Sequence, residues 1–128
     1  MKYVYVAMGG AIGTILRFLI ASFFTTKVNT FPFGTFLVNL SGSFLIGFIA
    51  GFCLDKLEVD GRLFLISGVL GGYTTFSSFA LEALNLLKNQ QTTLAFLYVT
   101  GSTILGVLLA AIGFIIGNAI QQKLRVNP

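Results

Sequence analysis

Polar side chains that can hydrogen-bond an anion recur at helical spacing in two long apolar segments. Thr35, Asn39 and Ser43 occupy every fourth position of one segment, and Tyr98 and Ser102 repeat that spacing in another. Residues four apart share one face of an α-helix, and polar groups inside a membrane span are costly enough to need a reason. The two stripes predict a polar track between helices.

Asn39 differs from its neighbours because its side-chain amide carries two donor hydrogens and an acceptor oxygen. A buried amide either bonds a neighbouring helix, which stabilises a bundle by roughly 0.6–2 kcal/mol, or it binds a ligand. The residue type favours neither interpretation over the other.

An aromatic pair stands in the third apolar segment. Phe76 and Phe79 lie three residues apart, on one helix face. Packing is the ordinary role of phenylalanine, and the chain has 14 of them. A ring edge nevertheless carries partial positive charge, and it can face an anion loosely enough to let it leave, as conduction requires. Four hydroxyl residues flank the pair: Thr74, Thr75, Ser77 and Ser78.

Other side chains are less informative. Arg17, inside the first apolar segment, would either reach the membrane interface or hold an anion at a vestibule. Glu82, three residues beyond Phe79, is left without a role. The stripe Phe44, Phe48 and Phe52 has no polar neighbours and is interpreted as a lipid or packing surface.

The composition excludes most enzymatic chemistry and indicates a membrane protein. The chain has 128 residues, no His and one Cys, so imidazole metal sites, Ser-His-Asp triads and an internal disulfide are excluded. Hydrophobic residues make up 55% and charged residues 9%, against about 25% charged in soluble domains. With a mean hydropathy of +0.91, the net charge of +4 indicates basic residues beside a membrane rather than a nucleic-acid-binding face.

Four segments of one transmembrane domain are long and apolar enough to cross a bilayer as helices. No A-x-A cleavage pattern follows the first, so we expect it to be retained rather than removed as a signal peptide. A polar turn at 25–30 and a charged loop at 55–62 separate segments. The four predicted spans are 3–24, 33–54, 62–88 and 93–119.

The third span contains the sequence GGYTT at 71–75. Two glycines followed by β-branched residues are poor helix formers, so we predict a break at 71–75. Non-helical backbone at membrane depth must be buried in protein or line a wet cavity.

Small residues and charges both concern assembly. Four helices enclose little volume, so a pathway would need a second subunit. Five basic residues fall on the side of the membrane that would hold both termini and the middle loop, and three fall on or near the other side. So weak a bias is compatible with insertion in both orientations. The hypothesis is an antiparallel homodimer. Glycines four apart predict close helix packing at Gly9/Gly13, Gly47/Gly51, Gly68/Gly72 and Gly113/Gly117. The five basic residues are Lys2, Lys56, Arg62, Lys123 and Arg125, and the three are Arg17, Lys27 and Lys88.

Three stretches of the sequence resemble the signatures of a known family. They read GGAIGTILRF at 9–18, FGTFLVNLSG at 33–42 and GVLGGYTTFSSF at 68–79. Together with the length and the four spans, they are similar to the small bacterial fluoride channels of the Fluc or CrcB family. The resemblance implies passive, selective export of fluoride from the cytoplasm. It also implies a multi-pass protein of the bacterial plasma (inner) membrane, assembled as an antiparallel dual-topology homodimer with two pores.

The resemblance also implies roles for particular residues. Asn39 would coordinate fluoride through its amide, and Phe76 and Phe79 would present ring edges to it. The backbone carbonyls of Gly71 and Thr74 would hold a structural sodium ion at the dimer centre. The polar-track positions are Thr35, Ser78, Tyr98 and Ser102.

Arg17 matches a basic residue of vestibule or structural role. Two positions depart from the pattern: Tyr73 stands where a smaller or aliphatic residue is common, and Gly106 puts no hydroxyl one turn after Ser102.

Other functions are less compatible with the sequence. A four-span drug/proton antiporter needs a carboxylate in its first span, which here has Arg17 and no acid. A structural or assembly subunit would explain the glycines but not the clustered Asn, Thr and Phe motifs. An intramembrane enzyme would have Glu82 as its only acid in or near a span.

Overall fold

The computed structural model describes residues 1–24 and 31–126, which fold into helices and turns without a β-strand in either range. The polar turn predicted at 25–30, with Lys27, lies outside the described residues. A short 3-10 turn, Leu54–Lys56, follows the second helix. The helices are α1 (Lys2–Phe23), α2 (Phe33–Phe52), α3 (residues 59–73), α4 (Phe76–Lys88) and α5 (Thr92–Val126).

Four helical segments are long and apolar enough to cross a membrane. They are α1, α2, the 30 residues Val59–Lys88 that combine α3 and α4, and α5. The observed ends lie within a few residues of the predicted ones, except that α5 continues to Val126 rather than ending at 119. The chain is therefore an all-helical, multi-pass membrane protein.

The third span is less regular than the sequence predicts. It begins at Val59, inside the predicted charged loop, with one α-helical turn, Val59–Arg62. Leu63–Leu70 then follows π-helical geometry, which is rare outside single-turn bulges. The chain returns to an α-helical turn at Gly71–Tyr73.

The break in this span is narrower than predicted, because Gly71 and Gly72 are helical. Only Thr74 (φ −78°, ψ 156°) and Thr75 (φ −147°, ψ 114°) are extended. The Leu70 carbonyl accepts the Thr74 N–H and hydroxyl, each at 3.0 Å, which ends α3. The β-branched pair interrupts the helix, and Gly72 serves a different purpose.

That purpose is close packing between α1 and α3. A Cβ added at Gly13 would overlap the Val69 carbonyl oxygen and lie 2.8 Å from the Tyr73 nitrogen. A Cβ at Gly72 would lie 2.6 Å from the Gly10 carbonyl oxygen. The backbones touch directly, so the predicted close approach of the glycine-bearing helices is present here.

The helices α2 and α5 pack in the same way. A Cβ at Gly47 would overlap the Ala110 carbonyl oxygen, and one at Gly117 would overlap the Phe48 carbonyl oxygen. The two helix pairs, α1 with α3 and α2 with α5, join where the Thr74–Thr75 break lies against α2. The break is therefore held against α2.

Two glycines of α1 give a matched test of this packing. Gly13→Ala is expected to lower the free energy of unfolding by about 1–3 kcal/mol, because the new methyl group meets α3 backbone that cannot rotate away. Gly10→Ala meets no atom within 4 Å and is expected to be neutral or to stabilise the helix by up to about 1 kcal/mol. Thermal unfolding in detergent measures both; equal midpoints for the two variants would contradict the packing account.

Candidate functional site at the helix break

Asn39 of α2 holds the break in place. Its Oδ1 accepts the Thr75 N–H at 2.8 Å, and its Nδ2 donates to the Thr75 carbonyl at 3.1 Å. Thr75 is only 7% exposed, so these bonds satisfy backbone groups that the extended conformation would otherwise leave unpaired. An amide nitrogen carries two hydrogens, so one Asn39 N–H remains for a ligand. The two interpretations of Asn39 are therefore compatible.

A cavity of about 390 Å³ opens beside this contact, between the break, α2 and α5. Four residues that the sequence predicts for the pore line it together: Asn39, Phe76, Phe79 and Ser102. The Ser102 hydroxyl is buried and has no hydrogen-bond partner among the described groups. A buried hydroxyl without a partner is costly, so this one is available to a ligand in the cavity.

The two phenylalanines extend from the start of α4. Their ring centroids are 5.6 Å apart, and the Phe79 ring lies 5.1 Å from the Tyr98 ring. Phe79 is half-buried, whereas Phe76 is 80% exposed on this chain. Phe79 thus connects the cavity to Tyr98, while Phe76 projects beyond the surface of the protomer.

Beyond Phe79, the carboxylate of Glu82 connects three helices. Thr35 of α2 donates its hydroxyl to Oε1 at 2.7 Å, and Tyr98 of α5 donates to Oε2 at 2.7 Å. Thr35 is 7% exposed and Tyr98 is completely buried. The sequence predicts both hydroxyl residues for the track but gives Glu82 no role. A sequence feature that points to Glu82 is that it is the one acid within these apolar segments.

Aromatic side chains enclose this carboxylate site. The Phe31 ring meets the Tyr98 ring edge-on at 5.4 Å, and Phe36 lies 6.5 Å from it. Tyr98 also packs in a buried cluster with Leu86 and Ala95. The site therefore has little solvent around it, which strengthens its hydrogen bonds.

Ser78 has a different place from the other predicted track residues. It lies in the cap of α4, where the Thr75 hydroxyl accepts the Ser78 N–H at 3.2 Å and donates to the Ser78 hydroxyl at 3.0 Å. Ser78 does not contribute to the described lining of the cavity. Its position at a helix N-terminus follows the usual capping preference for Thr and Ser.

The predicted cation ligands, Gly71 and Thr74, have carbonyl oxygens to which no described group donates a hydrogen bond. The Thr75 N–H, which a regular helix would direct to Gly71, goes to Asn39 instead. Unwound backbone carbonyls are typical ligands for sodium in membrane proteins. These two carbonyl oxygens therefore fit as ligands of a hard monovalent cation.

Arg17 lies apart from the cavity, half-buried on α1. It follows Gly9 and Gly13 at four-residue spacing, so it continues the face of α1 that packs on α3. The structure does not bring Arg17 into contact with the other predicted site residues.

Comparison with known proteins gives one consistent result. Residues 4–114 match the family described as "CrcB-like protein, Camphor Resistance (CrcB)". Curated relatives named "Fluoride-specific ion channel FluC" include one from Hydrogenobaculum sp. that is 40% identical over 91% of this chain and 98% of its own length. Another, from Rhizobium meliloti, is 45% identical over 84% of this chain and 89% of its own.

A third relative of the same name, from Thermus thermophilus, is 44% identical over 93% of this chain and 95% of its own length. These three matches cover 84–93% of this chain and 89–98% of the relatives, and the family match over residues 4–114 spans every residue that lines the cavity. The chain belongs to the CrcB family.

Proposed function

We propose that this protein is a fluoride-selective ion channel, a passive conductor and not an enzyme. Its family membership and its curated relatives, which are named as fluoride-specific ion channels, support this function. The single structural observation that carries it is the unpartnered Ser102 hydroxyl, buried in a membrane-depth cavity together with Asn39 and two phenylalanines. Such a cavity offers hydrogen-bond donors to an anion.

The donor groups form a continuous sequence through the protomer. The free Asn39 N–H and the Ser102 hydroxyl are donors at the cavity. The Phe79 ring lies between the cavity and Tyr98. Tyr98 and Thr35 then offer their hydroxyls at the Glu82 carboxylate. We propose that fluoride moves along this sequence and exchanges places with the carboxylate as the acceptor of the two hydroxyls.

The chemistry of the track suits fluoride. Fluoride is small and holds its water tightly, so several donors must replace that water at once. Neutral Asn, Ser, Thr and Tyr side chains supply them, and no Lys or Arg lines the described cavity. A full positive charge there would bind the ion too strongly for it to leave.

Removing the Tyr98 hydroxyl tests the second part of the track. Tyr98→Phe is expected to reduce fluoride flux by about tenfold or more, because hydrogen bonds to charged groups contribute about 1.5–3 kcal/mol and this one is fully buried. Tyr3→Phe, at a tyrosine that is 91% exposed, is the matched control. Flux through Tyr98→Phe equal to that of Tyr3→Phe would remove Tyr98 from the pathway.

The assembly is part of the proposal: an antiparallel dual-topology homodimer with two pores. Phe76 is 80% exposed, and the polar residues Ser41, Ser67 and Ser77 are exposed within the spans. Polar groups and non-helical backbone do not face lipid at this depth, and a second copy would cover them. A reporter fused to the C-terminus should be detected on both sides of the membrane; detection on one side only would contradict dual topology.

A structural sodium ion at the dimer centre is a further part of the proposal. The carbonyl oxygens of Gly71 and Thr74 from both copies would hold it, and it would supply positive charge that offsets the cost of an anion in the bilayer. Elemental analysis of extensively dialysed dimer should find one retained sodium ion. Complete loss of sodium with fluoride flux unchanged would contradict its structural role.

Fluoride efflux from proteoliposomes tests the function itself. With potassium fluoride inside, adding a potassium ionophore should release fluoride rapidly, while chloride in parallel vesicles is retained. Release that does not need the ionophore would indicate coupled rather than electrogenic transport. No release from dimeric, reconstituted protein would favour a structural subunit instead.

A further inference from the structure

Tyr73, the last residue of α3, is tied to α2 by its hydroxyl. The Tyr73 and Ser41 oxygens are 2.8 Å apart. The Ser41 Oγ lies 2.7 Å from the Leu37 carbonyl oxygen and 3.1 Å from that of Val38, to which it donates its single hydrogen. Tyr73 is therefore the donor and Ser41 the acceptor. The tyrosine is 8% exposed, so this bond satisfies a hydroxyl that would otherwise be buried without a partner.

The ring of Tyr73 crosses α2 at Gly42. A Cβ added to Gly42 would lie 3.3 Å from Tyr73 Cδ1 and would overlap the Thr74 methyl group. Only a residue without a side chain lets the break lie this close to α2. Gly42 is thus a shallow gap in the helix surface, filled by Tyr73 and Thr74.

The break is attached to α2 on both sides of Thr74. Asn39 binds Thr75, which follows it, and Ser41 binds Tyr73, which precedes it. Residues two apart on an α-helix differ by about 200° in direction. Asn39 and Ser41 therefore bind the break from nearly opposite sides of α2. The Asn39 bonds hold the α4 side of the break, and the Tyr73–Ser41 bond holds its α3 side.

We propose that Tyr73 is a positioning residue for conduction, acting through Ser41 to fix the break against α2. The inference rests on the proposed channel function. No backbone hydrogen-bond ladder runs through Thr74 and Thr75. The direction of α4 therefore depends on what holds these two residues, together with the bonds that Glu82 accepts from Thr35 and Tyr98. Since Phe76 begins α4 and Phe79 lies one turn later, a pivot at the break displaces both rings relative to Asn39.

Single-channel fluoride current in planar bilayers tests the inference, because it does not depend on how many channels fold. Tyr73→Phe and Ser41→Ala are each expected to reduce the current about threefold to tenfold, the effect of one net hydrogen bond. The double variant should conduct no less than the weaker single variant, since both remove the same bond. Ser41→Thr, which keeps the hydroxyl, should conduct like the wild-type protein.

Two controls match the substitutions. Tyr3→Phe removes an exposed tyrosine hydroxyl, and Thr100→Val removes a hydroxyl that bonds only its own helix, at 2.6 Å from the Phe96 carbonyl; both should leave the current unchanged. If Tyr73→Phe and Ser41→Ala both conduct as much as the wild-type protein, the inference is overturned but the channel function is not. The same holds if the losses of the two single variants add in the double variant. A wild-type protein that carries no fluoride current would overturn the proposed function itself.

Discussion

Asn39→Asp is expected to reduce fluoride flux by about 10- to 100-fold, the largest effect of any substitution that conserves shape. The aspartate keeps an oxygen for the Thr75 N–H, which Asn39 now accepts at 2.8 Å. It has no hydrogen to give to an anion or to the Thr75 carbonyl, and it adds a negative charge to the cavity. Because hydrogen bonds involving charged groups contribute about 1.5–3 kcal/mol, loss of the donor alone accounts for a reduction of this size.

Asn39→Leu separates the structural role from the conducting one. It removes both bonds to Thr75, whose backbone groups lie in a residue that is 7% exposed, so we expect a loss of stability of about 2–6 kcal/mol from two unsatisfied groups. Asn85→Leu, at an exposed position of α4, is the control. Proteoliposome efflux and thermal unfolding measure the two roles; an Asn39→Asp channel that conducts normally would contradict the assignment of the free N–H to the ion.

Phe79→Ile is expected to lower fluoride flux about threefold to tenfold while the dimer persists. Isoleucine fills similar volume but has no positive ring edge, and it loses the contact with the Tyr98 ring at 5.1 Å. Aromatic pairs contribute roughly 0.5–1.5 kcal/mol beyond their burial, which sets this range. Phe76→Ile should act in the same direction, since Phe76 lines the same cavity.

Phe48→Ile is the control for these two variants. Phe48 stacks between Phe44 at 6.4 Å and Phe52 at 5.5 Å, on a stripe with no polar neighbours. It should therefore conduct like the wild-type protein. Equal flux in Phe48→Ile, Phe76→Ile and Phe79→Ile, measured on verified dimer, would show that ring edges take no part in conduction.

Much of the fold could be predicted because it depends on local patterns. Long uncharged segments predict the four spans, which the structure confirms, and glycines four apart predict the close helix pairs. The break was placed at 71–75, but Gly71 and Gly72 are helical and only Thr74 and Thr75 are extended. Helix propensity penalises glycine, whereas close packing against α1 requires glycine at Gly72, so a tertiary contact favours helix there.

The site was predicted less completely because its contacts connect distant parts of the chain. Tyr98 and Ser102 could be paired by their spacing, but Thr35 and Glu82 are 47 residues apart, and no periodicity brings them together. The π-helical stretch Leu63–Leu70 is equally hidden, since its composition suits an α-helix. The Tyr73–Ser41 bond could be predicted only if the place where the break contacts α2 were known, and no sequence pattern specifies that place.

A reversal potential shows whether this chain conducts fluoride in preference to chloride. Purified wild-type protein is placed in a planar bilayer with sodium fluoride in one chamber and an equal concentration of sodium chloride in the other. A fluoride-selective channel should give a large reversal potential with the sign of fluoride diffusing alone. A potential near zero, or one with the sign of chloride, would contradict fluoride selectivity.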